Sequence, residues 1–276
     1  ICGSDLTGRG SICGCDWRAA IDYLHTKQGC VGGTGHEVIG VVAAVLPPST
    51  LHIGELVLAM VPSYISAVAS VRDVFEARTK VSASKLPKQG SFAECFVSHD
   101  CACIPLPTTP PRLPHFNPLW YVAGQPLGTI LHAVKKLGCV VGQSVVIAGQ
   151  GQNGLLMTAV LANAGVRHVI CIDRLQGRLN VAEQLGATHT IHLTSSSGTA
   201  AYDKTQTAQI EQRVHEFTKG AMADVAIDMV GHQGHTIDLC ARLCKTNGTV
   251  LLFGLPPAVA AQESMTIRFG DFTRNL

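Results

Sequence analysis

Ser144-Val145-Val146-Ile147-Ala148-Gly149-Gln150-Gly151-Gln152-Asn153-Gly154 is the stretch on which the reading of this chain turns. An apolar run ends on glycine, and Gly149, Gly151 and Gly154 stand in a G-x-G-x-x-G pattern. Glycine makes up 28 of 276 residues, so the pattern alone carries little weight. Its setting carries more. The run before it has strand character, and Asn153 to Ala164 behind it is apolar nearly all round, as a buried helix is. A dinucleotide-binding turn needs this order. The first glycine permits the tight turn, the second lets a pyrophosphate approach the backbone, and the third lets helix pack on strand. The helix N-terminus then faces the phosphates. Gln152 and Asn153 open that helix and complete the candidate site.

Working outward, His168 to Asp173 reads as the next strand, and Asp173 closes it nineteen positions after Gly154. A carboxylate there accepts hydrogen bonds from ribose hydroxyls and repels a 2′-phosphate, which favours NAD over NADP. Arg174 and Arg178 follow at once and are the residues able to meet a 2′-phosphate. The plainer alternative is a glycine-rich turn of an unrelated α/β protein with Asp173 as a solvated strand end. Leu175, Leu179, Ala182 and Leu185 mark one face of a helix, and Gly186 ends it. Strands are expected near His189 to Leu193, Ala223 to Val230 and Thr249 to Gly254, and helices near Thr205 to Phe217 and Thr236 to Cys244. Strand and helix in alternation argue for a doubly wound parallel sheet over 119–276.

Before Trp120 the character differs. Short apolar stretches, Val38 to Val45, Leu56 to Val61 and Phe92 to Val97, are broken by glycine and proline and read as strands joined by turns. Residues 105–118 contain Pro105, Pro107, Pro110, Pro111, Pro114 and Pro118, which suits a linker between a first domain, 1–118, and the second.

Apolar residues make up 46% of the chain and charged residues 14%, with a formal net charge of +2. That balance gives no reason to expect nucleic acid or a membrane surface as partner. No apolar run is long enough to span a bilayer. Eleven scattered cysteines are an odd number and do not form a disulfide framework; they read as reduced thiols of a cytoplasmic enzyme. Ile1-Cys2-Gly3-Ser4-Asp5 and Phe272-Thr273-Arg274-Asn275-Leu276 are abrupt ends, so a chain incomplete at both is expected.

Cys2, His36 and Glu37 offer a thiolate, an imidazole and a carboxylate, a mix Zn²⁺ accepts. Singly, they read as a buried thiol, a turn histidine and a surface charge. Gly35-His36-Glu37 leads into Val38 to Val45, and a rigid strand can hold ligands in place. Ser4, two residues after Cys2, shares its face in an extended segment and is able to relay a proton. A helix or turn cap is the equal alternative for it.

Taken together and in order, these segments resemble the medium-chain dehydrogenase/reductase superfamily, in particular its sorbitol- and threonine-dehydrogenase-like zinc enzymes. Ile1-Cys2-Gly3-Ser4-Asp5 is similar to the family's first zinc-ligand motif, and Gly35-His36-Glu37-Val38-Ile39-Gly40 to its Gly-His-Glu motif. Gly54-Glu55-Leu56-Val57, Gly90-Ser91-Phe92-Ala93-Glu94 and Gln125-Pro126-Leu127-Gly128 resemble later landmarks. The resemblance implies a GroES-like β-barrel catalytic domain followed by a Rossmann domain, and zinc on Cys2 and His36 with Glu37 as direct or alternating ligand. It further implies Ser4 in proton relay and hydride exchange between NAD and a secondary alcohol or polyol. A small-molecule alcohol or ketone would be the partner, with a homo-oligomer for the full-length form.

Departures from the family pattern are specific. Gln125 stands where the family has an acidic residue near the metal, and Thr7 where a relay histidine is frequent. Residues 8–31 carry an unfamiliar segment, and the family's four-cysteine lobe is not recognisable. Cys95, Cys101 and Cys103 are a weak substitute, read most simply as strand and turn thiols. Two rival readings stay open: a zinc-free reductase of the same superfamily, and a non-catalytic nucleotide-binding remnant.

Overall fold

The computed structural model describes residues 35–61, 69–82, 91, 94–107, 117–193, 204–231 and 234–254. Expectations for Cys2, Ser4, Thr7, the 8–31 segment and most of the proline-rich stretch lie outside these residues. The chain divides into two compact units, Ile1–Pro126 and Leu127–Leu276.

The described part of the first unit is built on a three-stranded antiparallel sheet of β1 (Val38–Val41), β2 (Leu56–Ala59) and β3 (Cys103–Pro105), with β2 in the middle. On β2 the buried residues alternate, Val57 and Ala59 inward, the period a half-covered strand shows. Helix α1 (Ala69–Thr79) buries Phe75 against Ala102, Met60 and Cys101. A short 3-10 turn, Asp100–Ala102, leads into β3. A second, Pro118–Ala123, has Asn117 as its cap, the Asn117 side chain accepting from Leu119 N–H at 3.0 Å. Helix α2 (Gly124–Leu137) follows.

Three expectations for this unit change. β1 and β2 are shorter than their apolar runs. Glu94 to Val97, read as strand, is irregular, and Val97 is largely exposed; these residues pair with no strand. In its place β3 completes the sheet from a segment whose Pro105 pointed to a linker; proline at the end of an edge strand loses no ladder bond.

The second unit is a five-stranded parallel sheet in the order β6-β5-β4-β7-β8, here β4 (Ser144–Ala148), β5 (His168–Asp173), β6 (His189–His192), β7 (Ala223–Asp228) and β8 (Cys244–Leu252). The intervening helices are α3 (Gln152–Asn163), α4 (Gln176–Gln184), α5 (Lys204–Phe217) and α6 (Gly234–Leu243). All five residues of β4 are buried, because its alternate side chains enter cores on opposite faces. Val145 and Ile147 join Met157, Leu161, Leu179 and Ile227 on one face. Val146 and Ala148 join Ile170, Ile172, Val214 and Leu239 on the other. Each such fully buried aliphatic side chain contributes about 1.5–3 kcal/mol. This is the doubly wound α/β architecture expected from the alternating pattern.

Two details differ. Leu175 and Leu185, counted on the inner face of α4, lie just beyond its ends and are exposed, so Leu179 and Ala182 alone carry that face. β8 begins at Cys244 directly after α6, earlier than Thr249. It reaches this length through a register shift opposite Ala223 and Val225 and through Asn247 at φ 60°. Among the described residues no helix is long and apolar enough to cross a membrane.

Candidate functional site

The chain leaves β4 through a turn whose three glycines are held by three different requirements. Gly149 sits at φ 98°, where a side chain is strained, and a Cβ there would lie 2.8 Å from Val230 Cγ2. Gly154, in the first turn of α3, faces Gly149. A Cβ on it would overlap the Gly149 carbonyl oxygen and lie 2.9 Å from its carbon. Helix and strand end pack backbone to backbone here. Gly151 is the exception. It has an ordinary extended conformation, φ −71° and ψ −171°, and a Cβ on it would meet nothing within 4 Å. Gly151 is the N-cap of α3 and makes no side-chain cap bond, so the helix's first N–H groups and the positive end of its dipole lie at this turn. In the same first turn the Asn153 side-chain oxygen is buried without a hydrogen-bond partner.

Asp173 ends β5 beside this turn, and only 7% of it is exposed. Its Oδ2 accepts from Gln150 N–H at 2.6 Å and its Oδ1 from Leu175 N–H at 2.8 Å. The Arg178 guanidinium, from α4, stands 3.6 Å from Oδ2. The residue expected to greet a ribose therefore also ties the glycine turn to the strand beside it. Charge-assisted bonds of this kind are about twice as strong as neutral ones.

Below the turn lies a polar cluster that the sequence reading missed. Gln150 is fully buried, and its side-chain oxygen accepts from the Thr158 hydroxyl at 2.9 Å. That hydroxyl is also 3.0 Å from Gly154 O and 3.2 Å from Cys171 Sγ. Burial pushes the Cys171 thiol up to about 12, opposed in part by Thr158, so it stays protonated. The available signal was Thr158 itself, a hydroxyl four residues after Gly154 on an otherwise apolar helix.

Strand order reverses beside β4: β5 and β6 lie to one side, β7 and β8 to the other. Crevices at such switch points bind ligands in open α/β sheets. Asp228, the last residue of β7, pairs in register with Ala148 at this point. It is wholly buried; Oδ1 accepts from Val230 N–H at 3.0 Å, while Oδ2 has no hydrogen-bond partner. Nearby His235 is held below its ordinary pKa by burial, against the opposing pull of Asp228 and Asp238 and with the help of Arg174.

The described part of the expected metal set is smaller. His36 is 3% exposed and sits two residues before β1. Gly35 turns the chain with φ 95°, and its carbonyl accepts from Ser91 N–H at 3.1 Å. Glu37 is half-buried beside it. Gln125 lies half-buried in the first turn of α2. Cys2 and Ser4 lie outside the described residues.

Residues 154–274 match the family model described as zinc-binding dehydrogenase. The chain is 32% identical over 234 residues to D-xylulose reductase A of Aspergillus niger, covering 80% of this chain and 59% of the reductase. It is 29% identical over 133 residues to sorbitol dehydrogenase of Gallus gallus, covering 48% of this chain and 34% of that enzyme. Among solved structures, galactitol-1-phosphate dehydrogenase of Escherichia coli superposes with a TM-score of 0.68 over the whole chain and 70% of its own length, at 21% identity. That likeness speaks for the fold, and the family match falls on the half whose glycine turn and parallel sheet are described above. Residues 154–274 therefore carry a zinc-binding dehydrogenase domain, and the curated relatives that the chain resembles are polyol and threonine dehydrogenases.

Proposed function

We propose that this chain is part of a zinc-dependent oxidoreductase that transfers a hydride between NAD and a secondary alcohol or polyol. The observation that carries the reading is the contrast within the glycine turn. Gly149 and Gly154 are explained by their protein neighbours, whereas Gly151 has none. Open space alone is not distinctive, since Gly40 and Gly177 also have it; at the N-terminus of a helix, between Gly149 and Gly154, it suits a pyrophosphate that needs the bare backbone. The chain spans 59% of the length of the matched D-xylulose reductase, and that relative's name, like that of the sorbitol dehydrogenase, supports a polyol as substrate class.

In this reading, residues 1–118 form the catalytic domain and 119–276 the nucleotide domain. Gln152, Asn153 and Gly154 present N–H groups to the phosphates, and Asp173 takes the adenosine ribose with oxygen lone pairs left over from its two backbone bonds. Arg178, already turned toward Asp173, has its charge partly neutralised, which favours NAD over NADP. Zinc fits the donor chemistry of Cys2, His36 and Glu37, a thiolate, a buried imidazole and a carboxylate. When bound there it acts as a Lewis acid that lowers the pKa of the substrate hydroxyl. Ser4 carries the released proton outward, and His36 is oriented by the start of β1. Gln125, near the metal, adds no charge to the set. The partners are an alcohol or ketone and further copies of the full-length chain.

The test is NADH formation by the chain from NAD and a panel of secondary alcohols and polyols, with metal analysis in parallel. Turnover on a polyol that is lost on chelation, and loss of zinc in Cys2→Ala, are expected. Turnover that survives complete zinc removal would favour the zinc-free reductase, and NAD binding with no turnover on any alcohol would favour the remnant.

A further inference from the structure

His99, Asp100 and Cys101 are consecutive, yet their imidazole nitrogen, carboxylate oxygen and thiol sulfur all lie within 4.8 Å of one another. We propose that this turn is a second metal site, made of residues other than Cys2, His36 and Glu37 and suited to Zn²⁺ or a cation of similar softness.

The first argument is the donor set. Nitrogen, oxygen and sulfur ligands on one short segment match the preferences of zinc, and Asp100 with an ionised Cys101 balances its two charges. Second, the turn holds an electrostatic conflict. His99 Nδ1 lies 2.7 Å from Asp100 Oδ1 and 3.3 Å from Cys101 N–H, which is directed at it. A neutral ring nitrogen can donate to the carboxylate or accept from the amide, never both. If it accepts, two lone pairs face each other at 2.7 Å; a cation bound by both atoms removes that repulsion. Tetrahedral zinc, with bonds of about 2.0–2.1 Å, separates two ligands by roughly 3.3 Å. The ring and carboxylate need only open by several tenths of an ångström, a small side-chain rotation.

Third, the backbone of the turn is fixed while its ligand face is accessible. Ala102 N–H donates to His99 O and Met60 N–H to Ala102 O, both at 2.9 Å, and Ser98 Oγ donates to Met60 O at 2.6 Å. The buried Phe75 ring meets the His99 ring edge-on at 5.3 Å and 89°. The His99 and Asp100 side chains keep 36% and 17% of their surface exposed, room for a water to complete the coordination. The Cys101 thiol is raised by burial, with Arg78 pulling it down and Asp100 pushing it up.

The experiment uses the whole chain carrying Cys2→Ala, so that a metal at the other proposed site does not enter the count. Cobalt(II) titration should give one equivalent with a thiolate-to-cobalt charge-transfer band. Cys101→Ser should remove the band. Partners that merely orient metal ligands are worth about 10–100-fold in affinity, so Asp100→Asn, which keeps the shape of the side chain, should weaken binding by at least about tenfold. Its circular dichroism should stay unchanged. No stoichiometric cobalt binding, or a band and affinity that persist in both variants, would overturn the proposal.

Discussion

Replacing Gly151 and Gly154 separately by alanine divides the glycine turn into a part that serves the fold and a part that serves a ligand. At Gly154 the new methyl would lie 2.9 Å from the Gly149 carbonyl carbon and closer still to its oxygen. Ordinary contact begins near 3.4 Å, so clearing the oxygen requires helix α3 to withdraw from β4 by more than about 1 Å. The neighbour is backbone, and no rotamer relieves it. Overpacking costs about 1–3 kcal/mol, and alanine returns about 1 kcal/mol of helix propensity. With a rigid neighbour the upper range applies, for a net loss of about 2 kcal/mol, or roughly 4–8 °C in Tm. At Gly151 the methyl enters open space from a conformation that alanine adopts freely. The loss of a glycine cap and the gain in unfolded-state entropy nearly cancel, so stability should hold within about 0.5 kcal/mol. NAD affinity should instead fall by at least about tenfold, or ~1.4 kcal/mol. Thermal unfolding and NADH fluorescence titration on both variants give the comparison. A Gly151→Ala protein with unchanged Tm and unchanged NAD affinity would refute the placement of the pyrophosphate over this glycine.

Thr158→Val keeps the shape but strips Gln150 of its buried donor, and should cost about 1–3 kcal/mol by denaturant titration; no loss would mean the cluster is not a determinant of the turn. Asp173→Ser removes the acceptor of two backbone N–H groups as well as a charge. It should lower Tm and narrow the NAD over NADP preference in paired titrations, and an unchanged preference would assign selectivity to Arg174 and Arg178. For Asp224, burial raises the carboxyl pKa, but the ion pair with Lys245 at 2.6 Å and the bond from Ser144 N–H at 2.7 Å outweigh it and hold the pKa below its usual value. That stabilisation is present above the unfolded pKa of about 3.9 and is lost as pH falls through the lower folded value. Asp224→Asn should accordingly reduce Tm at neutral pH, and the difference should shrink to nothing in strong acid; an equal difference at all pH values would exclude the ionic term.

The parallel sheet was legible because β4, β5 and β7 are buried on both faces, so β4 and β5 read as apolar runs and β7 as one interrupted only by Asp224, set apart by helices of a different period. Helix α1 was not, since among its described side chains Phe75 alone is buried, and a lone anchor leaves no periodic stripe. Leu175 and Leu185 kept the helical spacing of α4 while lying past its ends, where spacing no longer dictates burial. In the candidate site, the glycine turn and Asp173 were legible because their chemistry is local to a strand end and a helix start. Gln150, Cys171 and Asp228 were not. Gln150 reaches Thr158 on α3, Thr158 reaches Cys171 on β5, and Asp228 arrives at the switch point only through the pairing of β7 with β4. Such roles depend on which strands become neighbours, and residue spacing along the chain does not record that.

Hydride transfer itself is the most direct test of the central claim. The chain, loaded with zinc, is incubated with NAD and a secondary polyol carrying deuterium on its carbinol carbon, and the nicotinamide is read by NMR. One deuterium at C4 of the reduced ring, formed more slowly in Gly151→Ala at subsaturating NAD, is the predicted result. NADH formed without deuterium, or a nicotinamide left unreduced by a chain that holds both zinc and NAD, would contradict it.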